Sequence, residues 1–198
     1  MMESSTAADV VVTALVGYLL GSIPVANLVA RRRAAVDLRT VGDQNPGYWN
    51  AKETLGRRAA LPVFVGDVAK GAAAALVGAA LADPGVWGMA YVGAGAAMVG
   101  HAFPLFARFR GGRSVLTFVG GAAVFAPIPV VISVVALLVV LAVTRSFAYA
   151  ARAGFVVLPF ATLAVQGPFQ TAAMGLLMTF IGVRFMMARR GQPRTDRR

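Results

Sequence analysis

The 198-residue chain contains no cysteine and one histidine. Disulfides and cysteine-based metal sites are excluded, and a lone imidazole cannot build a histidine-rich cluster, so no metal is expected. Charge is also scarce: 14% of residues are charged, against about 25% in a typical soluble domain. Acidic residues are rarest, eight against 19 Lys and Arg, for a formal net charge of +11. A basic surplus often marks a nucleic-acid binder. Here the basic residues punctuate apolar segments and form no stripe, so no nucleic acid is expected. Orientation in a bilayer and contact with anionic headgroups or substrates account for them better. No Lys or Arg occurs in the first nine residues, which carry Glu3 and Asp9. A secretory signal wants a positive start, so the first apolar stretch is expected to be a retained membrane helix.

Apolar residues make up 58% of the chain and mean hydropathy is +0.72, against about 45–50% apolar in soluble domains. The excess lies in runs near the ~20 residues a spanning helix needs. Seven such segments are expected: 10–30, 59–81, 86–106, 115–125, 130–144, 147–165 and 169–187. The fourth is short for a full crossing, so tilt or partial insertion is expected there, and a five-helix count is the alternative. Turns fall at Ala82-Asp83-Pro84-Gly85, Ala126-Pro127-Ile128-Pro129 and Gln166-Gly167-Pro168. The fold class is thus an all-α membrane protein, a polytopic bundle of about seven helices. One domain is expected over 1–190, with a basic cytoplasmic tail at 191–198. Alternating crossings place the polar stretch after Arg31-Arg32-Arg33, the loop with Arg108, Arg110 and Arg113, the Arg145 turn and the tail on one face. The positive-inside rule makes that face cytoplasmic, with the N-terminus out and the C-terminus in. Gly/Ala runs such as 72–75 and 93–97 suit close helix packing in lipid. No repeat period is visible.

Ionisable residues inside spans are costly and point to function by default. Asp67 and Lys70 stand three apart on one helix face with opposite signs. A structural ion pair and a site-lining role are both open for them. Arg152 and Arg184 fit snorkelling to the interface. The loop from Asp37 to Asn50 is rich in Gly, Asn and Pro, and such turns expose backbone amides that can nest an anion. In the loop from Gly100 to Val115, glycines flank cations ahead of a helix start. That arrangement suits a phosphate held by amides and a guanidinium, and equally a plain basic stop after a span. His101, among apolar neighbours, reads as a hydrogen-bonded packing residue before it reads as a base.

Taken in order, these pieces resemble one family, the bacterial membrane acyl-phosphate:glycerol-3-phosphate acyltransferases. Gly21-Ser22-Ile23-Pro24 is similar to the family's G-S-I-P. Asp37-Leu38-Arg39 follows, and residues 42–50 are similar to G-S-G-N-x-G-A-T-N. Gly56 comes at the expected distance, and Asp67, Lys70 and Gly71 look like D-x-x-K-G. Residues 100–104 and 109–115 look like G-H-x-F-P and F-K-G-G-K-G-V. The resemblance implies transfer of a fatty acyl group from acyl phosphate to the first hydroxyl of glycerol 3-phosphate. Lysophosphatidic acid and phosphate are released, with no cofactor and no covalent enzyme intermediate. It implies a multi-pass protein of the bacterial inner membrane with its active face cytoplasmic and membrane lipids as partners. The residues expected at the chemistry are His101, Arg113 and Asn45. Gly111, Gly112, Arg110, Gly47, Asn50, Lys70 and Asp67 are expected to bind substrate phosphate.

The chain departs from the family pattern at several points. Asp43 and Gln44 replace a serine and a glycine, and Tyr48-Trp49 replace A-T. Glu53 replaces an arginine, while Arg113 and Ser114 replace lysine and glycine. Ala148 and Ala151 stand where the family has serines, and Ile181 and Arg184 align with a His and an Asn. Asp43 and Glu53 are expected to face substrate and repel a dianion. Three readings follow. The first is an acyltransferase on this fold, with glycerol 3-phosphate or another polar acceptor, the second a catalytically impaired paralogue binding lipid or a partner, and the third a small transporter using Asp67, Lys70 and Arg184.

Overall fold

Thr6 opens the first helix with a capping box: Asp9 N–H donates to Thr6 Oγ1 and Thr6 N–H donates back to the Asp9 carboxylate. The computed structural model describes residues 6–83 and 86–190. Glu3, Pro84-Gly85 of the first turn and the basic tail 191–198 lie outside the described residues.

Helix α1 (Ala7–Gly21) is interrupted before α2 (Val25–Ala34), although the two form one apolar stretch long enough to cross a bilayer. The cause is Pro24, whose missing N–H and dihedrals of −85° and 63° make an inverse γ-turn. Val25 N–H closes that turn on Ile23 O. Within the polar segment a short helix, α3 (Tyr48–Leu55), forms where only turns were expected. It is held by packing: Tyr48 meets Phe64 of the next helix edge-on at 5.4 Å, and Ala51 is fully buried. Gly56 then takes φ +86°, a conformation glycine adopts without strain, and redirects the chain into α4 (Arg57–Ala80).

Helices α5 (Gly88–Ala102), α6 (Val115–Phe125), α7 (Pro127–Thr144), α8 (Phe147–Gln166) and α9 (Pro168–Arg190) complete the order. No strand occurs among the described residues. Among the described residues six helical stretches, with α1 and α2 together making one of them, are long and apolar enough to span a bilayer. The 11-residue α6 reaches only about 16 Å at ~1.5 Å per residue, short of a ~30 Å hydrocarbon core. Backbones approach closely at the centre. A Cβ added to Gly71 would collide with Thr117 O, and one on Gly120 with Val68 O, which locks α4 against α6. Around this small-residue centre, Met98, Phe118, Leu158, Met174 and Ile181 form the main apolar cluster.

Two contacts align the ends of the bundle. Trp49 of α3 stacks on Phe147 at 5.7 Å, bringing the Arg145 turn beside the polar segment. At the other end Gln166 Nε2 donates to Phe125 O at 2.7 Å, joining the turns before α7 and α9.

Candidate functional site

The polar segment is built around Leu38, which is fully buried. Its N–H donates to Asn27 Oδ1 at 3.1 Å, and its carbonyl accepts from Asn50 Nδ2 at 2.9 Å. Asn50 Nδ2 also donates to Val41 O at 3.0 Å. Beside it, Asp37 is clasped by the Arg39 guanidinium and receives Arg31 at 3.2 Å. The Arg39 hydrogen bonds, opposed by partial burial, hold the Asp37 carboxyl well below the usual carboxylate range, and the same contact raises Arg39. Arg39 Nη1 donates onward to Ala107 O at 3.0 Å, fastening this segment to the loop between α5 and α6.

That second loop folds back on α5. Gly112 N–H donates to His101 O at 3.0 Å and Gly111 N–H to Ala102 O at 3.2 Å. Both glycines are required by space: a Cβ on Gly111 would strike His101 O, and one on Gly112 the His101 ring. The loop ends at Ser114, which takes φ +64°, is buried, and donates from Oγ to Met98 O at 2.7 Å. Gln44 likewise takes φ +57°. Both replace a glycine of the family pattern, and the left-handed conformation supplies the reason a glycine fits there.

Beneath the loops lies a buried triad. Lys70 Nζ sits 2.8 Å from Asp67 Oδ1, and His101 Nδ1 lies 3.5 Å from the same oxygen. Lys70 also donates to Ile23 O at 3.2 Å, using the carbonyl beside the Pro24 break. Two helices, α4 and α5, thereby meet on one carboxylate, and Lys70 ties the break between α1 and α2 to it. Asp67 and Lys70 do share a face turned into the bundle, 2% and 6% exposed, at about mid-helix. Together with His101, Gly111 and Gly112 they line a narrow inner crevice.

Outside the triad opens a cleft of about 340 Å³. Arg39, Asp43, Asn45, Arg110, Arg113 and Arg184 line it. Arg113 Nη1 donates to Asp43 Oδ2 at 2.9 Å, and its guanidinium lies 4.7 Å from the centre of the Phe185 ring. Arg184 reaches in from α9. Its Nε donates to Gly112 O and its Nη2 to Gly111 O, both at 3.3 Å, over the Phe103 ring.

Several expectations change accordingly. Arg184 points into the cleft and does not snorkel, because loop carbonyls and Phe103 are within reach; Arg152 is exposed beside Tyr149. The Gly111 and Gly112 amides are already spent on α5 carbonyls, so they cannot cradle a phosphate while those bonds stand. Asn50 is an internal clamp of the polar segment and Gly47 caps α3, and neither lines the cleft. Glu53 is exposed and pairs with Lys52 at 3.0 Å, away from the cleft. Ala148 and Ala151 do not line it, and Ile181 is buried in the apolar cluster. Sequence reasoning did not place Arg39 or Arg184 at the site. Intramembrane charge was the available signal for Arg184.

The family model described as glycerol-3-phosphate acyltransferase matches residues 11–191. The chain is 36% identical over 185 residues to "Glycerol-3-phosphate acyltransferase 5" of Dehalococcoides mccartyi, covering 91% of this chain and 76% of that one. It is 44% identical over 154 residues to the glycerol-3-phosphate acyltransferase of Rubrobacter xylanophilus, covering 77% and 75%. Among solved structures it superposes on PlsY (YgiH), an integral membrane glycerol 3-phosphate acyltransferase, in its glycerol 3-phosphate form. The TM-score is 0.79 at 25% identity, covering 91% of this chain and 90% of that one. The lysophosphatidic acid form gives 0.75 at 23% identity, with the same coverage.

Proposed function

This multi-pass membrane chain belongs to the glycerol-3-phosphate acyltransferase family, and on that premise we propose that it acylates glycerol 3-phosphate using acyl phosphate as donor. The observation that carries this reading is the cleft itself: four arginines, Arg39, Arg110, Arg113 and Arg184, converge at the loop end of an apolar bundle. A soluble dianion meets cations there, while an acyl chain stays in the apolar phase. The paralogue and transporter readings are not favoured.

Acyl phosphate is a mixed anhydride, already activated by its phosphate leaving group, so no enzyme nucleophile is required. The first hydroxyl of glycerol 3-phosphate attacks the acyl carbonyl carbon. The carbon–oxygen bond to phosphate breaks, the phosphate leaves with that electron pair, and the hydroxyl proton passes to a phosphate oxygen. Holding both substrates in one cleft supplies much of the rate. Guanidinium groups stabilise the negative charge that gathers on the tetrahedral intermediate and leaving phosphate. Arg113 binds phosphate as a planar fork, which a lysine cannot, and Asn45 lines the same cleft beside it. The buried triad of Asp67, Lys70 and His101 ties α4, α5 and the break between α1 and α2 together behind the cleft and keeps its floor in place. The protein resides in the bacterial inner membrane, with the arginine loops on the cytoplasmic side.

The test is acyl transfer by purified protein from palmitoyl phosphate to glycerol 3-phosphate, with lysophosphatidic acid and phosphate measured together. Equal molar release of both supports the reading. Transfer from palmitoyl-CoA with none from palmitoyl phosphate overturns the donor assignment.

A further inference from the structure

Arg184 differs from the two other half-buried arginines of the cleft. Arg39 is clasped by Asp37 and Arg113 is paired with Asp43, whereas Arg184 forms no ion pair among the described residues. A guanidinium carried into a bundle by a membrane-spanning helix is costly without compensation. The compensation it has is dipolar and long: Nε and Nη2 reach the carbonyls of Ala102, Gly111 and Gly112 at 3.3–3.4 Å. Those bonds and the Phe103 ring, 4.6 Å away, fix the plane of the group. Nη1 takes no part in them.

Arg113 carries a matching observation. Its Nη1 is engaged by Asp43, but its Nε is buried and has no hydrogen-bond partner among the described residues. The side chain stacks on Phe185, the residue next to Arg184. One turn of α9 therefore organises two guanidiniums on the same cleft, Arg184 directly and Arg113 through Phe185. Asp43 pairs with Arg113 alone, so the guanidinium of Arg184 adds a positive charge to the cleft that no carboxylate among the described residues pairs with directly. Fixed cationic forks of this kind fit the tetrahedral oxygens of a phosphate.

We propose that Arg184 is a substrate-binding residue that shares a phosphate group with Arg113. The ligand chemistry is a phosphate dianion on an organic carrier. Its two sources are the acceptor, glycerol 3-phosphate, and the donor, acyl phosphate. The choice between them rests on the reaction assigned above, but the phosphate site itself does not.

The test uses the full chain in detergent micelles, with Arg184→Gln and Arg184→Lys. Glutamine keeps an amide that can donate to the loop carbonyls and removes the charge; lysine keeps the charge. With each substrate varied in turn, Arg184→Gln is expected to raise KM for one of them at least about tenfold. The effect on kcat is smaller, the melting temperature holds, and Arg184→Lys recovers part of the loss. The substrate whose KM moves identifies the phosphate. Calorimetric titration with glycerol 3-phosphate, and separately with inorganic phosphate, makes the same comparison without turnover. A native chain that binds phosphate through Arg184 but transfers no acyl group would sink the assigned reaction and leave this inference standing. Three results overturn the inference. One is an Arg184→Gln protein matching the native one in both KM values and both titrations. Another is equal loss in the Gln and Lys variants with a lowered melting temperature, the behaviour of a strut for the loop. The third is a native chain that binds neither phosphate compound.

Discussion

Arg113 reaches across the cleft to Asp43, Nη1 to Oδ2 at 2.9 Å, joining two loops whose members lie 70 residues apart in sequence. The pair changes the meaning of both residues. Asp43 neutralises part of the site's charge before substrate arrives, and an incoming phosphate must share Arg113 with it. Removing the guanidinium as Arg113→Ala is expected to cost about 1.5–3 kcal/mol of charge-assisted bonding, at least tenfold in kcat/KM. Asp43→Ser is expected to lower KM for glycerol 3-phosphate by up to about fivefold, since a partly exposed ion pair contributes about 0.2–1 kcal/mol. Steady-state kinetics on both variants checks this. An Arg113→Ala enzyme as efficient as the native one refutes the role.

Glu53 belongs to a different part of the surface. It is exposed and paired with its neighbour Lys52, so Glu53→Arg is expected to stay within about 0.5 kcal/mol in stability. KM for glycerol 3-phosphate is expected to be unchanged. A large fall in KM from this substitution alone would show that the residue acts on substrate after all.

Close helix packing is testable at one atom. Gly71→Ala sets a methyl group against Thr117 O, where neither backbone can give way. The expected cost is about 1–3 kcal/mol of overpacking, a fall of roughly 2–12 °C in the melting temperature of the detergent-solubilised protein. An unchanged melting temperature would mean that α4 and α6 do not touch there.

Acid should loosen the loop anchor. The Asp37 carboxyl is depressed in the folded protein by its hydrogen bonds to Arg39. A depressed carboxyl contributes stability above its unfolded pKa, near ~3.9. That contribution is lost as pH falls from there toward the folded value. Thermal unfolding from pH 7 downward is expected to show the native protein losing stability below about pH 4 more steeply than Asp37→Asn. Parallel curves for the two would remove Asp37 from the acid response.

Sidedness follows from the one-sided placement of Lys and Arg. Reporters fused in the loop at Arg110 are expected to read cytoplasm, and one placed before Asp9 to read the outside. A periplasmic signal from the Arg110 loop inverts the arrangement.

Hydropathy and turn residues, both local properties, were enough to specify the apolar spans, their connections and the basic character of one set of loops. Residue order within those loops was enough to suggest the family. Helix α3 was not legible, because eight residues with four polar side chains owe their helix to Tyr48 packing on Phe64 and to buried Ala51. The Pro24 break was visible as a residue, but its use as the acceptor point for Lys70 depends on a helix 47 residues away. The same holds for the cleft. Asp43 looks repulsive in one dimension and proves to be the partner of Arg113. Glu53 looks equivalent to it and points elsewhere. Gly111 and Gly112 look like free amides and are bonded to α5, while Arg184 looks like an interfacial cation and reaches 72 residues back to Gly112. Short-range patterns set which segments enter the membrane, because transfer of a helix into lipid is nearly a sum over its own residues. Which charges meet is decided by how helices pack, and that free energy belongs to pairs of residues far apart in the chain.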